Sequence, residues 1–280
     1  MIGLKGAHGM HTNLSTSILT RMFLVTCNKD LSEYKRADYH EKYFVEVLGE
    51  MDKFCAVFPD GLQVMGKKVL DMGCGHGGSC IYFASHGAKE VVGMDVDTGY
   101  IDFARSKLRE GYPGLLDRVK FMTNLDELRE GTYDVILSKD TMEHVESPDE
   151  YLRAAAALLR PGGRIYAGFA PLWNSPFGGH GRMRTRLPWG HVIFPEHVII
   201  NGLGKIYKDF QSRRIVDLGL NKLSFKELKQ VLRRTGLRII FFAPNVPTLS
   251  LKNKAITVLR KIPGLTEYLT HSVYFILEKN

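Results

Sequence analysis

The sequence predicts an α/β fold in which a doubly wound, mainly parallel sheet carries helices on both faces. Short apolar strands alternate with helical segments between residues 69 and 169, and this alternation is typical of parallel sheets built from βαβ units. The chain has 280 residues, of which 44% are hydrophobic, so it can bury one large core. Neither repeats nor low-complexity segments interrupt the pattern.

The elements follow one another in a regular order up to residue 169. The polar, weakly patterned residues 1–30 are expected to form a mobile or lid-forming arm, and apolar residues near helical spacing predict a helix over about 33–57. The segment Arg160-Pro161-Gly162-Gly163 ends the last helix of the alternation. The predicted strands are 69–72, 90–95, 119–123, 133–138 and 164–169, and the predicted helices between them are 77–85, 100–109 and 148–159.

The alternation stops after Ala170. Residues 171–218 are rich in Gly, Pro, Trp, His and Arg and are too long for an idle connection, so we expect a lid or binding insertion. Ser224 is the predicted N-cap of a helix that runs to Thr235. A strand over 237–242, a second insertion over 245–270 with a helix at 251–260, and a strand over 272–277 follow. The predicted organisation is an N-terminal arm and helical cap over 1–60 and one main domain over 61–280 that contains both insertions.

Charge and cysteine content narrow the function classes. The net charge of +8 is moderate; it could favour an anionic substrate or a membrane headgroup, and we assign most of it to solubility. No apolar stretch is long enough to span a bilayer, and the apolar run at 18–25 is short and interrupted by Arg21, unlike a secretion signal. The four cysteines include no CxxC pair, which argues against a disulfide framework or a zinc site and indicates a reducing compartment. We therefore expect a cytoplasmic protein.

A glycine-rich turn follows the first strand of the alternation. Gly73, Gly75 and Gly78 match GxGxxG, and glycines let a backbone approach a ligand closely, although the match alone is weak. The next strand ends in Asp95, where an acid can accept hydrogen bonds from ribose hydroxyls. Asp71 precedes the turn and would repel a pyrophosphate, whereas an ammonium or sulfonium group would be attracted. The turn therefore indicates a cationic nucleoside cofactor.

Four segments in order resemble the motifs of the class I (Rossmann-like) S-adenosylmethionine-dependent methyltransferases of the small-molecule type. The segments are Val69-Leu70-Asp71-Met72-Gly73-Cys74-Gly75-His76-Gly77, residues 92–96, residues 133–138 with 142–145, and residues 158–163. This resemblance covers roughly residues 65–170. It implies a seven-stranded sheet in the order 3-2-1-4-5-7-6 with strand 7 antiparallel, and S-adenosyl-L-methionine as the cofactor.

The resemblance also implies roles for particular residues. Asp71 and Gly73 would hold the methionine part of the cofactor, Asp95 would bind the ribose hydroxyls, and Val96 would lie against the adenine. Asn124 and Leu125 would flank the adenine, and many members have an acid where this chain has Asn124. Two further positions are Cys74 and Gly75 in the turn, although Cys74 could equally fill the core. Ser138 and Lys139 would contact the methionine end of the cofactor through backbone groups.

The acceptor is expected beyond the carboxyl ends of the strands, under the 171–218 insertion. Methyl transfer is an in-line displacement that needs alignment and exclusion of water, and a hydroxyl or carbon acceptor must also lose a proton. Histidine titrates near neutral pH, so the catalytic candidates are His144, His180 and His191. The substrate-binding candidates are Trp173, Phe177, Arg182, Arg184, Trp189 and Glu196, and the arginines could clamp a carboxylate or phosphate. A metal site formed by histidines alone is a weak alternative, because their spacings match no familiar ligand pattern, so no metal is expected.

These observations favour methyl transfer to a small-molecule acceptor in secondary metabolism, with an anionic acceptor as one option and with oxygen favoured over carbon or nitrogen. Residues 138–141 lack the Asn/Asp-Pro-Pro-Tyr motif, so no nucleic-acid partner is expected. The alternatives are a methyltransferase acting on RNA or protein, an NAD(P)-dependent oxidoreductase, and a non-catalytic protein that senses the cofactor. The acceptor, the methylated atom and the oligomeric state stay open.

Overall fold

The computed structural model describes residues 37–183, 187–207, 210–245 and 256–280. Seven strands form one mixed sheet in the order β3-β2-β1-β4-β5-β7-β6, and β7 runs antiparallel to both of its neighbours. This order confirms the prediction. The strands are β1 Lys68–Met72, β2 Glu90–Met94, β3 Val119–Met122, β4 Tyr133–Lys139, β5 Leu159–Phe169, β6 Arg238–Pro244 and β7 Val273–Glu278.

Helices connect the strands and build part of the insertion after β5. They are α1 Ala37–Cys55, α2 Gly78–Ser85, α3 Thr98–Gly111, α4 Pro148–Leu158, α5 Gly190–Ile193, α6 Glu196–Ile206, α7 Phe225–Arg234 and α8 Leu265–Leu269, with 3₁₀ turns at Pro113–Leu115, Leu125–Glu127 and Ile215–Leu218. The predicted arm at 1–30 lies outside the described residues. The predicted helix at 251–260 lies partly outside them, and residues 256–259 are helical.

Both faces of the sheet are buried, as neighbouring residues of β1 show. Val69 packs in a cluster with side chains of α1, α2 and α3, whereas Leu70 packs in a second cluster with side chains of α4 and α7. Because successive side chains of a strand point to opposite faces, helices must cover both sides of such a sheet. This arrangement is the predicted doubly wound fold, and it leaves the carboxyl ends of β1, β2 and β4 together at one edge.

The fifth strand begins earlier than the sequence predicts. It starts at Leu159 rather than Arg164, and its register with β4 shifts between Tyr133 and Val135. Gly162 takes a φ of +74° and donates its N–H to the Lys279 carbonyl at 2.8 Å. The predicted turn is therefore an irregular extended segment, and Lys279, just after β7, holds it against the sheet.

The insertion over 171–218 has a small core of its own. Met183, Ile199, Leu203 and Ile215 are buried against one another, which ties α6 to the chain on either side of it. The sequence indicated a lid or binding element here but no helices. Within the described residues, no helix has both the length and the hydropathy needed to cross a membrane. The cytoplasmic location and the domain boundaries stay predictions.

The N-cap of α7 is the one that the sequence predicted. Ser224 Oγ accepts the Glu227 N–H at 3.2 Å, and Glu227 Oε2 accepts the Ser224 N–H at 2.9 Å, which completes a capping box. Ser224→Ala is expected to lower the free energy of unfolding by about 1 kcal/mol, because it leaves a helix N–H without a partner. Urea denaturation followed by circular dichroism checks this value. Glu227→Ala removes the other half of the box, and a Ser224→Ala midpoint equal to that of the wild type would contradict the assignment.

Candidate functional site

The turn between β1 and α2 is tied to the end of β2. The Met94 carbonyl accepts the N–H groups of Gly73 at 2.7 Å and Cys74 at 3.0 Å. Gly73 has a φ of +86°, and a Cβ at this position would overlap the side chain of Thr141. Gly73 is therefore required both by its left-handed backbone and by the close approach of the segment after β4.

Asp95 joins the turn to the β2–α3 connection. Its Oδ2 accepts the Gly75 N–H at 2.8 Å and its Oδ1 accepts the Asp97 N–H at 3.0 Å. Each carboxylate oxygen has a second lone pair, so Asp95 can still accept a hydrogen bond from a ligand hydroxyl. Val96 beside it is 84% exposed, which leaves an apolar surface next to the carboxylate.

Asn124 lies after β3, the strand that pairs with β2. Its side-chain oxygen accepts the Asp126 N–H at 3.0 Å and so begins the 3₁₀ turn that contains Leu125. The amide oxygen is used within the loop, and the amide N–H groups are the donors that Asn124 has left for a ligand. Asn124 and Leu125 thus follow β3 at the same edge of the sheet as Asp95.

Asp71 is buried beneath the turn. It is 2% exposed, and its Oδ2 accepts hydrogen bonds from the Ser79 hydroxyl and, at 3.6 Å, from the Cys80 thiol. Burial raises the pKa of Asp71 to about 6, even though the hydrogen bonds from Ser79 and Cys80 act to lower it. In this position Asp71 holds the first turn of α2 against β1.

This raised pKa predicts a pH dependence of stability. An aspartate whose pKa rises from an ordinary 3.8 to about 6 on folding binds its proton more tightly in the folded state, so its contribution is complete at low pH and is lost as pH rises through 6. We expect the unfolding free energy of the cofactor-free wild type, relative to Asp71→Asn, to fall by about 2 kcal/mol between pH 4 and 7. Urea denaturation across this range measures the difference, and the exposed Asp117→Asn is the control. A difference independent of pH would contradict the raised pKa.

The end of β4 is held beside the turn by Tyr151 of α4. The Tyr151 hydroxyl donates to the Met72 carbonyl at 2.8 Å and shares a hydrogen bond of 2.9 Å with the buried Ser138 hydroxyl. Lys139 contacts Asp140 at 2.6 Å and Glu50 at 3.4 Å. Burial acts to lower the pKa of Lys139, but its neighbour Asp140 raises it overall, so the ammonium stays charged.

Aromatic side chains from α1, the turn and α3 pack together over the glycines. A Cβ on Gly75 would lie 3.9 Å from the Tyr43 ring, and the His76 ring centroid lies 4.9 Å from that of Tyr43 and 4.4 Å from that of Tyr100. His40 Nδ1 and His76 Nε2 share a hydrogen bond of 2.7 Å. Burial, followed by the nearby His40, lowers the pKa of His76 to about 4. His76 is therefore neutral near pH 7 and suits an apolar wall over the turn.

Glu143 and His144, which follow β4, meet His180 of the insertion. We call these three residues the Glu–His–His cluster. One ligand-type atom from each lies within 4.8 Å of the others. Burial raises the pKa of Glu143 to about 8 and lowers that of His180 to about 4, and it also lowers the pKa of His144. The cluster is thus dominated by neutral imidazoles and a desolvated carboxyl group, the kind of setting in which proton-accepting groups are found.

The cluster is adjacent to the turn. Thr141, whose side chain closes on Gly73, is only two residues before Glu143. Asn221 fixes the same segment, because its side-chain amide donates to the Met142 carbonyl at 2.6 Å and the Val145 carbonyl at 2.8 Å. No role was predicted for Glu143, Thr141 or Asn221; the Met142-Glu143-His144-Val145 motif was the available signal.

The remaining predicted acceptor residues have structural partners. His191 is buried, and its Nε2 lies 2.6 Å from the Trp173 carbonyl, to which it can donate. The Trp189 indole donates to the Asn174 carbonyl at 3.1 Å. Glu196 forms an ion pair with Lys222 at 2.6 Å, which holds the pKa of Glu196 below its usual range. Phe177 is exposed, Arg182 donates to the Leu218 carbonyl, and Arg184 lies outside the described residues.

The structure therefore brings His144 and His180 together beside the turn, whereas His191 packs against Trp173 with a ring separation of 4.8 Å. Lys222 connects Glu196 and Trp173, since its ammonium pairs with Glu196 and lies 5.7 Å from the Trp173 ring centroid. Sequence reasoning missed Tyr43, His76 and Tyr100. Their signal was the histidine inside the turn and the tyrosines near it in the flanking helices.

The central part of the chain matches a known family. Residues 70–167 match the model for a methyltransferase domain. Similar curated proteins include a ubiquinone biosynthesis O-methyltransferase from Vibrio parahaemolyticus, which is 32% identical over 149 residues, or 50% of this chain and 62% of that protein. Phosphoethanolamine N-methyltransferase 3 from Arabidopsis thaliana is 37% identical over 103 residues, or 36% of this chain and 20% of that protein. The chain thus spans less than two thirds of these relatives.

A similar solved structure extends the comparison to the whole fold. Geranyl diphosphate C-methyltransferase from Streptomyces coelicolor, solved with S-adenosyl-L-homocysteine, aligns with a TM-score of 0.54 at 12% identity and covers 98% of this chain and 100% of that one. At this identity the likeness concerns the fold alone. The aligned fold is the one that carries the turn, Asp95 and the Glu–His–His cluster here.

Proposed function

Because residues 70–167 form a methyltransferase domain of the S-adenosylmethionine-dependent kind, we propose that this protein transfers the methyl group of S-adenosylmethionine to a small-molecule acceptor. Oxygen is the acceptor atom that we favour, with carbon and nitrogen as the alternatives. The observation that most supports the proposal is the joint geometry of Gly73, Gly75 and Asp95, in which a close-approach turn and a ribose-type carboxylate share one hydrogen bond.

Each part of this edge suits a part of the cofactor. Asp95 would accept hydrogen bonds from the ribose hydroxyls, and the exposed Val96 would contact the adenine. The methionine part would pass over Gly73 toward Ser138 and Lys139. At position 73 any side chain larger than hydrogen would collide with Thr141. Asp71 would act from below by holding the turn and by offering its negative charge to the ammonium and sulfonium groups.

The Glu–His–His cluster supports an acceptor that loses a proton. The cofactor is already activated, so the chain has to align the acceptor and take up its proton. Burial lowers the pKa of His180 to about 4 and raises that of Glu143 to about 8, so near neutral pH the imidazole is free to accept a proton and the carboxyl group keeps its own. A hydroxyl group placed between the turn and this cluster could give up its proton as the methyl group arrives.

A small anionic acceptor is supported by the positive charge that the insertion brings to the cluster. The described part of the 171–218 segment has a small core of its own, and it places His180 in the cluster and Arg182 near it. The charge of Arg182 reaches Glu143, His144 and His180, so an acceptor with a carboxylate or phosphate would be favoured there. The matched relatives are named for an O-methyltransferase and an N-methyltransferase, so our preference for oxygen depends on the cluster. The role in secondary metabolism stays a prediction.

The test is a turnover experiment with the full chain. The protein is incubated with S-adenosylmethionine and mixtures of small phenols, catechols, hydroxy acids and amines, and S-adenosylhomocysteine and methylated products are detected by mass spectrometry. We expect methylation of a hydroxyl compound that carries a negative charge. Methylation confined to RNA or protein added in parallel would favour the macromolecular alternative, and cofactor binding with no product from any class would favour a sensor.

A further inference from the structure

Glu143 stands out among the buried polar groups of the described residues. Glu143 is 3% exposed, and neither of its carboxylate oxygens has a hydrogen-bond partner. His180 Nδ1 is also buried without a partner. A buried carboxyl group without a partner is costly to ionise, and a bound cation would stabilise its ionised form. Two of the three residues of the cluster thus present unused ligand atoms to each other.

His144 is oriented as a metal-binding histidine would be. Its Nδ1 lies 2.7 Å from the Gly219 carbonyl, so Nδ1 carries the proton and Nε2 keeps a free lone pair. That Nε2 atom lies 4.0 Å from Glu143 Oε1. A carbonyl that fixes the tautomer of a histidine from the outer side is the usual support for a metal ligand.

His180 is held at the cluster by an uncommon backbone conformation. It has a φ of +53°, in the left-handed region that few residues other than glycine adopt, and it belongs to the insertion rather than to the sheet. The His180 and His144 rings are perpendicular, with centroids 5.1 Å apart. The strained backbone therefore places an imidazole where it can complete a set begun by Glu143 and His144.

We propose that Glu143, His144 and His180 bind a divalent transition-metal cation such as Zn²⁺. Two imidazole nitrogens and one carboxylate form a donor set that zinc favours, and three protein ligands leave a position open for water or an acceptor oxygen. The ligand atoms now lie within 4.8 Å of one another, and binding would draw them to about 3–3.5 Å around a cation with ligand distances of about 2.0–2.2 Å.

The site goes beyond the proposed methyl transfer and does not depend on it, because its ligands lie outside the glycine turn. If both are present, a cation there would coordinate an acceptor hydroxyl and lower the pKa of that hydroxyl, so that its proton leaves to water before the oxygen is methylated. The imidazoles would then serve as ligands instead of accepting the proton themselves. The sequence pointed to no metal because one of the three ligands comes from a distant insertion.

The charge of Arg182 gives the proposal a distinctive test. Its guanidinium reaches all three residues of the cluster electrostatically and would repel a bound cation. Arg182→Gln is therefore expected to tighten metal binding severalfold, whereas Glu143→Gln and His180→Asn are expected to weaken it by about 100-fold through loss of a ligand. Asn is chosen at position 180 because it tolerates the left-handed backbone.

Metal binding is measured on the full chain after treatment with EDTA and desalting. Co²⁺ is titrated and followed by its visible absorption, and Zn²⁺ is titrated by calorimetry; the expected result is one ion per chain, with His197→Asn, on the exposed side of α6, unchanged. Circular dichroism confirms that each variant is folded. Absence of binding by the wild type, or binding that is equally tight in Glu143→Gln and His180→Asn, would overturn the proposal whatever the outcome of the turnover experiment.

Discussion

Replacing Gly73 with alanine is expected to weaken the binding of S-adenosylmethionine by about 100-fold, or about 2.7 kcal/mol. Gly73 has a φ of +86°, a conformation that costs an L-residue about 1–2 kcal/mol. Its added Cβ would also overlap the Thr141 side chain, so the turn must shift away from the Met94 carbonyl that now holds it. Isothermal titration calorimetry with S-adenosylmethionine gives the change in affinity directly.

Two other glycines separate the causes of this loss. Gly131 also has a positive φ, of +64°, but a Cβ there would meet nothing within 4 Å, and Gly114 has neither constraint. Gly131→Ala should therefore cost some stability and leave cofactor affinity unchanged, and Gly114→Ala should change neither. If Gly73→Ala bound the cofactor as tightly as Gly114→Ala, the turn would not be the binding element.

Substitution of His180 by asparagine is expected to lower kcat by about 100-fold, the usual contribution of a positioned proton-accepting group. The affinity for S-adenosylmethionine should not change, because His180 lies in the insertion and not in the turn. Asparagine keeps the left-handed backbone of this position but cannot take up a proton or bind a metal well. Steady-state kinetics with the acceptor found in the turnover experiment measures both quantities.

The other members of the cluster sharpen this prediction. Because His144 and His180 serve the same loss of the acceptor proton, either as bases or as metal ligands, the double variant His144→Asn/His180→Asn should lose little more activity than the worse single variant. His197→Asn changes a histidine of the same insertion on an exposed face and should retain full activity. A His180→Asn enzyme within twofold of the wild type would exclude the cluster from the chemistry.

The sheet could be predicted from the sequence in detail. Near-continuous apolar strands such as β1 and β2 are typical of parallel strands buried on both faces, and their motifs resembled one known topology closely enough to give the strand order. The cofactor edge followed for the same reason, since Gly73, Gly75 and Asp95 lie within 23 residues of one another along the chain. Local spacing is sufficient where the contacts are local.

The acceptor side could be predicted only in part. His144 and His180 were candidates by residue type, but their meeting depends on how a 48-residue insertion folds back over the end of β4. The burial that gives Glu143 its raised pKa is not visible in the local sequence, and the segment that carries Glu143 is fixed by a residue far away in sequence, since the Asn221 amide donates to the Met142 carbonyl. His191 looked equivalent to His180 in sequence, and only the three-dimensional contacts distinguish its buried bond to the Trp173 carbonyl.

A crystal structure of the full chain with S-adenosylhomocysteine tests the central claim most directly. We predict that the ribose hydroxyls bind Asp95, that the homocysteine part lies over Gly73, and that the sulfur faces the Glu–His–His cluster. A sulfur that faces away from Glu143, His144 and His180, or a ligand bound elsewhere than the glycine turn, would contradict the account.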